Sequence, residues 1–314
     1  MKKAQKKQPQ PAITKETAAL ILKHHFGNKV KALQPIQGGL ANHVFEADVG
    51  GKEIVLRMST RPEKLQMFMK EQWAVTAARR KKVPTPEILE VCNDIIGLPY
   101  MISRKVAGRP ASTIGRHRMG VIHEMGRYTA IINSIPTHDF GHIFDWSPNK
   151  LSRNRTWTEY LDNELRVDER IDIFRQSGVL DAAHLKKLSA AVKSMRRWTA
   201  RPTLSHADIR LKNVILDDQG KICAILDWEN CISQIAPYWE LSIALHDLTM
   251  DEKEAFLAGY GIDLKDYMKM SDAIKVFNIL NYSRVAQHGW ERKDKARLLS
   301  LRARLNGTFD LYSL

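Results

Sequence analysis

The 314-residue chain carries 49 Lys and Arg against 35 Asp and Glu, a formal net charge of +14, and 44% of its residues are hydrophobic. That content supports one large core or two lobes and reads as a soluble, globular chain. No apolar run approaches the ~18 residues of a membrane span, and the basic residues are spread along the chain without zinc-finger or helix-turn-helix patterning, so a specific nucleic-acid binder is not supported.

Residues 1–12 hold Lys2, Lys3, Lys6 and Lys7 among Gln and Pro with no apolar run behind them. Residues 1–13 therefore read as a disordered basic tail, neither signal peptide nor anchor. Cys92, Cys223 and Cys231 lack metal-ligand spacing and read as free thiols of a reducing, cytoplasmic compartment.

Residues 14–26 pattern as an amphipathic helix closed by Gly27 and Asn28. Residues 32–37, 43–48 and 53–58 follow as an antiparallel meander with a Gly50-Gly51 turn. The turn at 37–42 contains Gly38, Gly39 and Asn42, and without the Lys-Ser/Thr of a P-loop it reads by itself as a hairpin turn.

In 53–58 the side chains alternate, so Val55 and Arg57 share one face and Ile54, Leu56 and Met58 the other. A cation in mid-strand needs a partner, and the next helix offers two acids. Thr60-Arg61-Pro62-Glu63 reads as a capping box that engages Glu63 at the helix terminus. Glu71 lies among Met67, Phe68, Ala74, Val75 and Ala78, a stripe that buries its carboxylate against the sheet. An unpaired buried carboxylate costs several kcal/mol, which makes Arg57 its natural counter-charge. Residues 85–91 and 98–103 supply two more strands.

From residue 104 onward the pattern turns helical, over 116–135, 156–176, 182–197, 236–248, 251–258, 264–287 and 291–304. Trp157, Tyr160 and Leu161 read as core. The loop at 137–155, with Asp139 and Asp145, could border a substrate cleft.

The most informative stretch is 204–229. Val214–Leu216 and 222–226 read as a hairpin around Asp217, Asp218, Gln219 and Gly220. Pairing brings Asn213 and Asp227 to the lip that holds His206 and Asp208, and an amide oxygen beside a carboxylate suits a hard cation.

His206-x-Asp208-x-x-x-x-Asn213, followed by Leu226-Asp227-Trp228-Glu229, resembles the aminoglycoside phosphotransferase and choline kinase superfamily. The resemblance implies an α+β, two-lobed protein-kinase-like fold: an antiparallel-sheet N-lobe (14–103) binding nucleotide and a mostly helical C-terminal lobe (104–314). The implied activity is transfer of the γ-phosphoryl group of ATP, GTP not being excluded, to a hydroxyl of a small molecule such as an aminoglycoside-like antibiotic, a sugar or an amino alcohol. Asp208 would take or orient the hydroxyl proton, His206 would brace the loop, and Arg210 would meet the γ-phosphate. Asn213 and Asp227 would hold Mg²⁺. Gly38, Gly39 and Asn42 would form a phosphate lid, and Arg57 with Glu71 would hold the α- and β-phosphates. Met101 to Ser103 would offer hinge backbone groups to the adenine.

Two departures stand out, Arg57 in place of Lys and Ala207 in place of Gly. Glu229, Glu240, Asp247, Asp251 and Glu252 are candidates to line an acceptor cleft. The overall positive charge disfavours a polycationic acceptor and favours a neutral or less charged one. An inactive kinase-fold binding module is the alternative that Arg57 motivates. A protein kinase is disfavoured because Trp228-Glu229 replaces the Phe-Gly expected after Asp227 and no Ala-Pro-Glu follows.

Overall fold

The computed structural model of the chain describes residues 12–36, 43–115, 117–199 and 201–311. Helix α1 (Lys15–Phe26) starts at a reciprocal Thr14/Thr17 capping box and ends at Gly27 in a positive-φ conformation. Five strands follow: β1 (Val30–Ile36), β2 (His43–Val49), β3 (Glu53–Met58), β4 (Ile88–Cys92) and β5 (Tyr100–Arg104). They form one antiparallel sheet ordered β1-β2-β3-β5-β4. Period-two alternation puts Ile54, Leu56 and Met58 of β3 under Ala18, Ile21 and Leu22 of α1. Arg57 therefore emerges on the opposite face, toward α2 (Lys64–Arg80).

The expected capping box at α2 does not form, and Glu63 makes no side-chain capping bond. Tight turns precede the helix instead: Lys64 N donates to Arg61 O (3.0 Å) and Leu65 N to Pro62 O (3.2 Å). These turns leave Thr60 too early in the chain to cap. The apolar stripe of α2 buries Glu71 beside Arg57 of β3 as expected and also reaches further, since Ala74, Val75 and Ala78 share a core with Val214, Leu216, Ile225 and Trp228 of the second lobe. Helix α2 thus bridges the lobes.

The second lobe begins with β6 (Arg109–Pro110) and α3 (Arg118–Asn133). The helix expected over 156–176 is broken. A one-turn α4 (Trp157–Glu159) runs into a π-helical turn (Tyr160–Glu164), and α5 (Val167–Ser177) starts afresh after Arg166 at φ 52°. Leu165 N donates to Tyr160 O (2.9 Å), the wide-turn bond that dislocates the helix. Trp157, Tyr160 and Leu161 are buried as expected. After α6 (Ala182–Met195) come β7 (Thr203–Ser205), β8 (Val214–Leu216), β9 (Ile222–Ile225) and β10 (Ile232–Gln234). β8 pairs with both β6 and β9, and β7 with β10.

Five helices complete the lobe: α7 (Tyr238–Ala244), α8 (Met250–Tyr260), α9 (Leu264–Asn281), α10 (Ser283–Glu291) and α11 (Lys295–Leu311). The pattern read as one helix over 264–287 is two helices meeting at Tyr282. Helices α3 and α8 touch backbone to backbone. A Cβ on Gly126 would sit 2.0 Å from Phe256 O, and one on Gly259 1.8 Å from His123 O, so both positions require glycine. This contact seats Asn133 at the end of α3, where its Nδ2 donates to Leu204 O (2.9 Å) just ahead of the functional loop. No described helix is long and apolar enough to cross a membrane.

Candidate active site

The site is built on the loop between β7 and β8. His206 is fully buried: its Nδ1 accepts from Asp208 N (3.2 Å) and its Nε2 meets Leu226 O (3.0 Å), so the proton resides on Nε2. Burial, opposed by the nearby Asp208, pushes the imidazole pKa down to about 4, which keeps it neutral. It packs edge-on against Trp228, 4.5 Å between centroids. His206 is thus a brace between the two sides of the hairpin, out of reach of solvent.

Asp208 stands at the mouth with its side chain 12% exposed. Asn213 Nδ2 donates to both its carbonyl and its Oδ2 (2.9 Å each). Arg210 Nε lies 3.0 Å from its Oδ1 and Lys212 Nζ 3.4 Å from its Oδ2. Loop residue Ala207 adopts a left-handed conformation, φ 62°, the geometry for which glycine is suited.

Below the loop, Glu240 Oε2 accepts from His206 N (2.6 Å), and both of its oxygens accept from Ala207 N (3.1 and 3.2 Å). The carboxyl is fully buried, and burial pushes its pKa up to about 7 against those backbone donors. The acceptor-cleft reading of Glu240 is therefore overturned: it supports the loop from inside. Its helical phase carried the signal, since Leu241 and Ala244 on the same α7 are also buried.

Across the cleft, Arg57 Nη1 donates to Glu71 Oε1 (2.7 Å), and the guanidinium lies 5.3 Å from the Phe68 ring centroid. Burial pushes the Glu71 carboxyl up against the pull of Arg57. The sequence reading missed Lys64, 2% exposed, whose Nζ sits 2.8 Å from Glu229 Oε2. Lys64 lies in phase with buried Phe68, Glu71 and Val75 on α2, the pattern that would have exposed it. Burial opposes ionisation of Glu229, but Lys64 and then Arg57 hold its carboxyl below the usual range. Glu229, like Glu240, is thus engaged inside the protein.

Asp227 has φ 64° and lies two residues past the end of β9. Burial and the neighbouring Glu229 raise its carboxyl pKa, opposed by Arg57. Its carboxylate accepts no hydrogen bond among the described residues. Asn213, with its amide nitrogen committed to Asp208, keeps its amide oxygen as the open acceptor. Two hard oxygen donors, one of them an unneutralised, partly buried carboxylate, fit Mg²⁺, which takes one or two protein ligands plus phosphates.

Met101 pairs with Arg57 and Val91, and Ser103 with Val55 and Ile88, so both lie in a central strand with neighbours on either side. Sheet pairing continues past them through Arg104 N and Lys105 N, which donate to Glu87 O and Glu53 O. Any open linker starts after Lys105. Glu252 serves the α8 capping box and pairs with Arg118 (2.5 Å). Asp139 and Asp145 pair with Arg153 and His138 within their own loop. Asp247 remains exposed at the mouth, 3.6 Å from Arg210. Gly38, Gly39 and Asn42 lie outside the described residues.

A family model described as the phosphotransferase enzyme family matches residues 32–272. Hygromycin-B 4-O-kinase of Escherichia coli is 22% identical over 227 residues, a match spanning 71% of this chain and 64% of that protein's length. Among solved structures, a thermostable mutant of aminoglycoside phosphotransferase APH(4)-Ia bound to ADP and hygromycin B is 17% identical. It superposes with a TM-score of 0.66 over 92% of this chain and 96% of that one. Macrolide 2'-phosphotransferase MphH from Brachybacterium faecium is likewise 17% identical, with a TM-score of 0.57 over 92% and 97%. At these identities the structural likeness establishes the fold, a two-lobed kinase-like architecture with an antiparallel-sheet lobe and a helical lobe.

Proposed function

This chain belongs to the phosphotransferase enzyme family, and from that premise we propose that it transfers the γ-phosphoryl group of ATP to a hydroxyl of a small molecule. The observation that carries the reading is the Asp208 carboxylate, oriented by Asn213 and flanked by Arg210 and Lys212 beside the open carboxylate of Asp227. Asp208 accepts the acceptor's hydroxyl proton, a contribution of ~10² to 10⁴-fold in rate. Arg210 and Lys212 are positioned to compensate the negative charge of the transferring group, where most of the catalytic work of phosphoryl transfer lies. Asn213 and Asp227 would hold Mg²⁺, which supplies charge compensation at the phosphate oxygens.

On the N-lobe side Arg57 is held for the nucleotide by Glu71, in the role the family usually gives Lys. The formed Arg57–Glu71 pair supports an active enzyme over an inactive binding module. ATP is favoured on the ADP-bound relative, and the small-molecule acceptor on the antibiotic kinases among the relatives. Turnover of Mg·ATP over a panel of hydroxyl compounds, with Asp208→Ala as control, tests the reading. The wild type is expected to turn over at least one acceptor, and the variant to lose activity while keeping its fold. Failure of Mg·ATP to bind or to shift the melting temperature defeats it.

A further inference from the structure

Helices α7, α9 and α11 enclose a cavity of about 240 Å³ beside the functional loop. Its walls are apolar at Leu241, Leu245, Tyr267 and Ile274, and polar at Ser242 and Asn278. Its charged lining is of one sign: Lys275 and Arg304 are present, and no Asp or Glu lies among the described lining residues.

The cavity wall is linked to the reacting carboxylate by a short relay of side-chain contacts. His246, in its wall, lies 3.9 Å from Asp247. Asp247 lies 3.6 Å from Arg210, and Arg210 lies 3.0 Å from Asp208.

Neither cation has a close carboxylate partner among the described residues. The Lys275 side chain is only 13% exposed, and its ion pair is a 3.9 Å contact to Asp272, which is 92% exposed. A lysine so far withdrawn from water calls for a closer counter-charge. Arg304 is exposed, donates to His246 and lies over the Tyr282 ring at 5.0 Å, with no carboxylate partner among the described residues, so its guanidinium is open to an incoming anion. His246 supplies no opposing charge. Burial first, then Arg304, lower its pKa, and Arg210 and Lys253 act in the same direction, while Asp247 opposes them.

Resting on the kinase reading above, we propose that this cavity seats the body of the phosphoryl acceptor. The acceptor is then a hydroxyl compound with a small apolar body and an oxyanion such as a carboxylate, met by Lys275 and Arg304. A polyammonium compound is disfavoured there by the same two cations, because like charges brought close together repel. The volume lies just below the usual range for ligand pockets and suits one ring or a short branched body, with the rest of a larger acceptor lying outside it.

Three p-nitrophenyl β-D-glycosides, the glucoside, glucosaminide and glucuronide, share an aromatic body and hydroxyls and differ as neutral, ammonium and carboxylate compounds. Binding of each to the full chain with Mg·AMP-PNP is measured by calorimetry and saturation-transfer NMR. The glucuronide is expected to bind about tenfold or more tighter than the glucosaminide. Lys275→Met and Arg304→Gln should each erase the preference, and Lys275→Arg should keep it; should Lys275→Met fail to fold, the other two carry the test. Equal or reversed affinities, no glucuronide binding at millimolar concentration, or an unchanged preference in Lys275→Met and Arg304→Gln overturns the proposal. A thermal shift with Mg·AMP-PNP alone reports separately on the kinase reading. Loss of nucleotide binding with the preference intact would remove the kinase assignment and leave the anion site standing.

Discussion

Lys64 Nζ lies 2.8 Å from Glu229 Oε2 and ties the first residue of α2 to the segment that follows Asp227. Arg57 Nη2 approaches the same oxygen at 3.7 Å. One carboxylate of the second lobe is therefore shared by two cations of the first, next to the residue assigned to Mg²⁺. The helix carrying Glu71 and the loop carrying Asp227 are held in register by this contact.

Glu229→Gln leaves the Lys64 ammonium, 2% exposed, without its counter-charge. The expected loss is about 3 kcal/mol of stability, at the low end for a broken buried pair because Glu229 is itself partly exposed, with a rise in KM for ATP. Adding Lys64→Met should recover part of the loss. Urea unfolding of the four species of the double-mutant cycle measures the coupling, and strict additivity would show that the pair does not act as a unit.

Arg57→Lys should keep a contact to Glu71 and lose the second reach toward Glu229, because a lysine presents one point charge where arginine presents a fork. The expected outcome is a several-fold higher KM for ATP with kcat little changed. Arg57→Met leaves Glu71 buried and unpaired, at a cost of about 3–5 kcal/mol. Steady-state kinetics and thermal melts separate the two effects, and an unaltered KM in Arg57→Met would remove this residue from nucleotide binding.

The pH dependence of stability contains two opposing buried contributions at one loop. Glu240, raised to about 7, binds its proton more readily folded than unfolded, so its contribution falls as pH rises from about 4.5 to 7. His206, lowered to about 4, stays neutral in the fold while the unfolded chain protonates below about 6.5. Its contribution is therefore lost as pH falls from 6.5 toward 4. Each amounts to about 3 kcal/mol, and in the wild type they largely cancel. Glu240→Gln should unmask His206 as a steep rise in stability between pH 4 and 6.5, read by urea unfolding. A flat profile in that variant would contradict the assignment.

Ala207 sits at φ 62° between His206, which braces the loop, and Asp208. Ala207→Gly removes the Cβ penalty of the left-handed region, offset in part by the freedom glycine gains when unfolded. The net expectation is a stabilisation of up to about 1 kcal/mol with activity retained, measured as a small rise in Tm. A lower Tm would show that the Ala207 methyl, which packs in the second-lobe core, outweighs the backbone strain.

Much of the site was legible in the sequence because its residues follow from local periodicity. Asn213 and Asp227 flank the two strands of one hairpin, so their convergence needs only antiparallel pairing. Arg57 was predictable as the odd residue on the far face of a strand, and Glu71 as an acid inside an apolar helical stripe; their pairing at 2.7 Å follows from the cost of burying either alone. Periodicity states that a side chain is buried and is silent about what lies across from it. Glu229 and Glu240 read alike as acids near the cleft. Only the packing of α2 and α7 against the loop decided that one meets the Lys64 ammonium and the other two backbone N–H groups. That β5, which carries Met101 and Ser103, lies between two partner strands is a relation between segments distant in sequence that no local pattern encodes. The helix breaks at Arg166 and Tyr282 escaped for the same reason: the residues on either side keep helical periodicity, and tertiary contacts such as Arg170 Nη1 donating to Leu280 O (2.8 Å) hold the halves at their new angle. The sequence by itself determined the fold class and the gathering of Asp208 and Asn213 in one loop, and tertiary structure decided which charges answer one another, because charge pairing depends on distance through space and not along the chain.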